Sequence, residues 1–253
     1  MRVDINADIG ESFGIYTLGD DERLLGSVTS GNIACGYHAG DPSVMRRTVR
    51  LAQRAGVAIG AHPAFPDLAG FGRRELDAAP EEIEDLVLCQ IGALSAMAMA
   101  EGLSLQHVKA HGALYTMAAR RQELAEAVAR AAVSFDPSLI LIGPPGSELL
   151  SAGRRLGLRV AAEVFADRAY GSDGSLVPRR MPGAVLDDPA SVVERAVRML
   201  REGVVIACDG STVPVQADTI CVHGDTPGAG MIAARLRTGL EEAGIRVVAL
   251  QAE

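Results

Sequence analysis

Asp4-Ile5-Asn6-Ala7-Asp8-Ile9-Gly10-Glu11 alternates with a period of two, so Asp4, Asn6 and Asp8 share one face of an extended strand and the isoleucines and alanine share the other. Acids on an inward-facing surface are costly unless they are paired or take part in chemistry. An exposed edge strand, or a charged strand at a barrel seam, would account for the alternation structurally. Functionally, Asp8 stands nearest the strand end, where a general base or a metal ligand belongs.

Outward from this strand, short β-branched or alternating runs alternate with longer helical patterns as far as the C-terminus. Strands are expected at 2–7, 29–35, 57–61, 107–111, 139–142, 159–164, 203–208, 219–222 and 246–250, with helices at 43–54, 81–101, 119–133, 147–156, 191–201 and 230–243. Pro42 and Pro80 open the first two helices, and Gly56, Gly102 and Gly244 mark the ends of several. A βα alternation closes into a barrel or stays open as a doubly wound sheet. An open sheet gathers its site in one crevice, whereas a barrel collects residues from the carboxyl ends of many strands. Here polar clusters follow nearly every strand, which favours one (β/α) barrel domain spanning residues 1–253. The stretch 170–186, rich in Gly, Ser, Pro and Arg, is too long for a simple βα loop and is expected to fold over the barrel mouth.

The chain has 253 residues, 48% of them hydrophobic and 22% charged, within the range of folded globular proteins. A formal net charge of -8 removes the electrostatic attraction on which nucleic-acid and anionic-membrane binders depend, so neither partner is expected. There is no run of about 18 uninterrupted apolar residues, and the N-terminus enters its first strand without an apolar leader, from which a cytoplasmic location is expected. Cys35, Cys89, Cys208 and Cys221 form no C-x-x-C pair and are expected to be buried thiols. Lys109 is the only lysine among 24 basic residues.

Four of the five histidines, His38, His62, His111 and His223, fall at or just beyond an expected strand end, where a barrel would converge them on one cavity. His107 begins its strand and is expected to be structural. Lys109 and His111 are two residues apart on one strand face, and a lysine in a barrel mouth can polarise a carbonyl or neutralise a phosphate. Asp41 precedes Pro42 as a helix cap. Arg73 and Arg74, in a glycine-rich loop, suit a carboxylate or a phosphate, with a solvated salt-bridging pair as the structural alternative. Glu163, Asp167 and Arg168 add charge after another strand. The loop through Gly224, Thr226 and Gly228 leads into a helix N-terminus and suits a phosphate, although no G-x-x-x-x-G-K-[ST] loop occurs anywhere in the chain. Asp8 with His38, His62 or His111 also offers nitrogen and oxygen ligands acceptable to Zn²⁺ or Mn²⁺.

Together, the segments 4–11, 32–42, 60–67, 70–74, 108–115, 163–168 and 221–225 resemble the LamB/YcsF family, in order and over essentially the whole chain. One departure is Ala110, where the family is expected to carry proline. The resemblance implies a distorted seven-stranded, TIM-like barrel similar to that of glycoside hydrolases and carbohydrate deacetylases. It also implies ATP-dependent hydrolysis of 5-oxo-L-proline to L-glutamate, with ATP as co-substrate and two companion 5-oxoprolinase subunits, B and C. In that scheme Asp8, His38, His62, Lys109 and His111 are catalytic, while Asn6, Arg73, Arg74, Glu163 and His223 bind substrate. Two other classes fit less of the pattern: a metal-dependent deacetylase or amidohydrolase acting alone, and a non-catalytic scaffold for partner subunits.

Overall fold

The computed structural model describes residues 1–223 and 228–250, with the backbone alone at His223. In chain order the elements are β1 (Arg2–Ile9), α1 (Asp21–Leu25), β2 (Ser30–Ala34), α2 (Pro42–Ala55), β3 (Ala58–His62), α3 (Pro80–Ala100), β4 (His107–Lys109), α4 (Gly112–Ala118) and α5 (Gln122–Phe135). They continue with β5 (Ile140–Gly143), α6 (Glu148–Arg155), β6 (Arg159–Phe165), α7 (Pro189–Glu202), β7 (Val204–Ile206), β8 (Thr212–Pro214), β9 (Thr219–His223), α8 (Ala229–Glu242) and β10 (Arg246–Val247).

Seven parallel strands close a barrel in the order β1-β2-β3-β4-β5-β6-β9, with β9 pairing back onto β1. Two expected strands stand outside the ring. The run expected at 203–208 forms only β7, which pairs antiparallel with β8. The run expected at 246–250 pairs only through Arg246 and Val247, beside the start of β1. Local β-propensity marks an extended segment but carries no information about its partner.

Helix boundaries follow the capping chemistry. Asp41 accepts from the backbone N–H groups of Ser43 and Val44 at the start of α2, Pro42 occupies the first turn, and Gly56 ends the helix in the left-handed conformation at φ 67°. Helix α3 is long and apolar enough to cross a membrane by length and composition, although Glu84 and Asp85 interrupt the apolar run. It packs against α5 and β3, burying Ile83, Val87, Ile91 and Leu94. The helix expected at 119–133 is α5, which begins at Gln122, and the short α4 before it was not expected.

The alternation on β1 points its polar face into the barrel: Asp4, Asn6 and Asp8 are all buried, while Ile5, Ala7 and Ile9 pack outward under the helices. Thr29 and Ser30 donate to Asp4 Oδ1 at 2.7 and 2.6 Å, and Thr219 donates to Oδ2. Burial raises the pKa of Asp4 above the usual carboxylate range, with the three hydroxyls pulling the other way. The lower barrel is therefore a closed polar network, satisfied without solvent.

Candidate functional site

His107 enters the barrel interior beside Gly60, where a Cβ would lie 2.1 Å from the imidazole. Only glycine leaves that space. His107 Nε2 donates to Asn32 Oδ1 at 2.8 Å, and Asn32 Nδ2 reaches Asn6 Oδ1 at 2.7 Å and Asp8 Oδ1 at 2.8 Å. The ring orients the amide that holds Asp8, in keeping with a structural role.

Burial, reinforced by the charge of Lys109, lowers the His107 pKa from the ordinary 6.5 to about 3. The unfolded chain therefore binds a proton below pH ~6.5 that the folded chain refuses, so stability is complete above that pH and declines as pH falls toward 3. The expected slope is about 1.4 kcal/mol per pH unit from this residue. Urea unfolding midpoints between pH 7 and 4 check it, and His107→Gln is expected to flatten the dependence.

Above this layer lies the chain's one lysine. Lys109 Nζ is 2.9 Å from Asp8 Oδ1, 2.8 Å from Glu163 Oε1, 3.2 Å from Asn6 Oδ1 and 3.1 Å from Cys221 Sγ. Burial opposes its charge, but Asp8, Cys221 and Glu163 outweigh burial and hold its pKa well above the usual lysine value. Glu163 also accepts from Asn6 Nδ2 at 3.0 Å and from the Tyr115 hydroxyl at 2.7 Å. Asp8, Lys109 and Glu163 thus form a buried, hydrogen-bonded ion group whose upper edge opens to a cavity of about 550 Å³.

The histidines stand beside this group. His38 and His111 stack with ring centroids 3.9 Å apart and planes 7° from parallel, and His62 meets both edge-on. Their roof is the loop 67–74, fixed by Asp67, which accepts from Gly70 N and from the Arg74 guanidinium. Phe71 in this loop takes φ 56°, a conformation that costs a non-glycine residue roughly 1–3 kcal/mol, and Gly72 follows at φ 65°. The backbone thereby comes close enough for Phe71 O to accept from His111 Nε2 at 2.9 Å. Burial, then the neighbouring histidines, lowers the pKa of both His38 and His111. Glu11, His38, His62 and His111 each present one ligand atom, and these atoms lie within 4.8 Å of one another. The carboxylate in that cluster is Glu11 rather than Asp8, whose Oδ1 is engaged by Lys109 and Asn32.

The cavity also carries five arginines among the described residues: Arg73, Arg120, Arg168, Arg179 and Arg180. Arg168 donates to the carbonyls of Ala184 and Val177, and so ties down the expected flap, whose residues Leu176, Val177 and Pro178 form one cavity wall.

The structure brings Asp8, His62, Arg73, Lys109 and His111 to one cavity, with Asn6, His38 and Glu163 packed directly behind. Arg74 is not among the cavity-lining residues; its exposed guanidinium pairs with Asp67. His223 takes its place by backbone opposite Asp8. Gly224 and Thr226 lie outside the described residues, and Gly228 caps α8 with φ 82°. Cys35 and Cys221 are buried as expected, but Cys89 and Cys208 are exposed, correcting the expectation for those two. Sequence reasoning missed Glu11, Tyr115 and the arginines at 120, 179 and 180 as site residues. Glu11 had a signal, standing three residues past Asp8 where the strand has ended; the arginines had none.

The chain and its closed barrel are similar to known proteins. The LamB/YcsF family model matches residues 3–253. The chain belongs to the LamB/YcsF family. It is 58% identical to a Chloroflexus aggregans protein named as the A component of 5-oxoprolinase, over 98% of both chains. A Syntrophobacter fumaroxidans protein of the same name is 53% identical over the full length of both. The crystal structure of a lactam utilization protein from Thermus thermophilus superposes with a TM-score of 0.93 at 51% identity, covering 99% of this LamB/YcsF chain and 100% of that one.

Proposed function

We propose that this chain is the ring-opening subunit of an ATP-dependent 5-oxoprolinase that converts 5-oxo-L-proline to L-glutamate together with companion subunits B and C. The observation that carries this reading is the buried Asp8–Lys109–Glu163 group beside a cavity ringed by arginines. The names of the relatives supply the substrate class.

An unstrained five-membered lactam is a poor electrophile, and transfer of the ATP γ-phosphoryl group to its carbonyl oxygen makes C5 attackable. Asp8, held by Lys109 and Asn32, takes a proton from the attacking water as the C5–O bond forms. Lys109 stabilises charge developing on the oxygens at C5 from a dry, preorganised position. Asp8 then returns the proton to the ring nitrogen as the C5–N bond breaks, leaving glutamate with its side-chain carboxyl joined to phosphate. A second water attacks that acyl phosphate, C–O cleavage releases phosphate, and glutamate remains. The arginines hold the substrate carboxylate and the phosphate, both of which the chain's net charge would otherwise repel.

Neighbouring arginines have opposite expected phenotypes here. Arg73→Ala removes a charged donor from the cavity and is expected to raise KM about 10- to 100-fold, the value of one hydrogen bond to a charged group. Arg74→Ala, whose partner is Asp67, is expected to leave KM within about 3-fold of the wild type. Steady-state kinetics of the reconstituted complex separates the two; equal effects would move the carboxylate site elsewhere.

A further inference from the structure

The cluster of Glu11, His38, His62 and His111 holds one buried ring, His38, that no protein atom among the described residues satisfies. His62 Nδ1 lies 2.7 Å from Lys109 O, and His111 Nε2 lies 2.9 Å from Phe71 O. A carbonyl oxygen only accepts, so both of these nitrogens carry the ring hydrogen. The remaining nitrogens, His62 Nε2 and His111 Nδ1, then face each other at 2.9 Å with a lone pair each. A proton shared between them, supported by Asp8 Oδ1 at 3.4 Å from His62 Nε2, would settle that pair but leave His38 unexplained. His38 is fully buried, and neither of its ring nitrogens has a hydrogen-bond partner among the described residues. A buried polar atom without a partner costs roughly 1–3 kcal/mol. Glu11 Oε1 stands 3.8 Å from His38 Nε2 and 3.9 Å from His111 Nδ1, too far for a hydrogen bond but close enough to share a cation.

We propose that Glu11, His38, His62 and His111 bind a divalent first-row transition metal ion such as Zn²⁺ at the floor of the cavity. One ion satisfies every anomaly together: it takes the two facing lone pairs, the orphaned His38 ring and the Glu11 carboxylate. Three imidazoles and one carboxylate suit Zn²⁺ or its first-row neighbours and not the oxygen-seeking Mg²⁺ or Ca²⁺. The carbonyls of Lys109 and Phe71 supply the outer hydrogen bonds that fix ligating histidines in the required tautomer. Metal binding here is independent of which substrate the cavity accepts. For the reaction above, such an ion would supply Lewis-acid activation of water or of the substrate carbonyl.

The test strips the purified chain with chelator and titrates it with Zn²⁺ against a competing indicator. Co²⁺ is then added in its place to read the ligand set by visible absorption. The proposal expects one tightly bound Zn²⁺ per chain and a Co²⁺ spectrum without thiolate charge-transfer bands. Glu11→Gln and His38→Ala, each checked for fold by circular dichroism, are expected to weaken binding more than about 100-fold, beyond the loss typical of an outer-shell change. The exposed thiols are controlled with Cys89→Ser/Cys208→Ser, which is expected to bind as the wild type does. Because His38→Ala removes a buried ring, Zn²⁺ is also expected to raise the wild-type Tm and leave that of Glu11→Gln unmoved. Sub-stoichiometric binding to the wild type, binding unchanged in both ligand variants, or binding lost with the thiols would overturn the proposal.

Discussion

Lys109→Met is expected to lose at least about 1,000-fold in kcat and roughly 3–5 kcal/mol of stability. Both losses have one cause. The ammonium is the shared partner of Asp8 and Glu163, and all three side chains are buried. Methionine fills the volume but leaves two carboxylates in a low-dielectric interior without the charge that made their burial tolerable. The catalytic loss follows because the group that would stabilise the charge at C5 is gone and Asp8 is no longer held. Urea unfolding and turnover of the reconstituted complex read the two effects separately. A variant with wild-type stability would show that the ion group does not hold the barrel interior together.

Asp8→Asn separates chemistry from folding. Asparagine keeps an oxygen for Lys109 and Asn32, and Lys109 retains Glu163, so the expected stability loss is about 1–3 kcal/mol. It has no basic carboxylate, so kcat is expected to fall by about 1,000-fold or more, with KM within about 3-fold of the wild type because the arginines are untouched. Rapid-quench measurement of a single turnover gives the chemical step directly. Together the two substitutions predict comparable catalytic loss with a smaller stability loss for Asp8→Asn than for Lys109→Met.

Much of this arrangement was legible in the residues. The alternation Asp4-Asn6-Asp8 has physical meaning only if one face of β1 looks into an enclosed polar space, and histidines at several strand ends converge only in a closed barrel. Pro42, Asp41 and Gly56 marked α2 because each satisfies or terminates backbone hydrogen bonds in a way few residues do. Pairing partners were not legible. Val204-Val205-Ile206 reads as a barrel strand, yet its neighbour is the three-residue β8, too short for any periodicity to register. The break between α4 and α5 leaves no proline or glycine at 119–121 to signal it.

Within the site, residues on strands could be assigned to a face by counting in twos, which placed Asn6, Asp8 and Lys109. Phe71 sits on a loop whose path is set by tertiary contacts, so its approach to the histidines had no local signature. Arg73 and Arg74 are adjacent and chemically identical, and only the position of Asp67 separates a cavity residue from a loop clamp. Arg179 and Arg180 reach the cavity because Arg168 ties the flap over it.

The most direct test is glutamate release from 5-oxoproline and ATP, measured with this chain alone, with companion subunits B and C alone, and with all three. The account predicts release in the full mixture only, abolished when the chain carries Asp8→Asn. Glutamate release undiminished by Asp8→Asn, or no release from the complete mixture, would contradict the assignment of ring opening to this barrel.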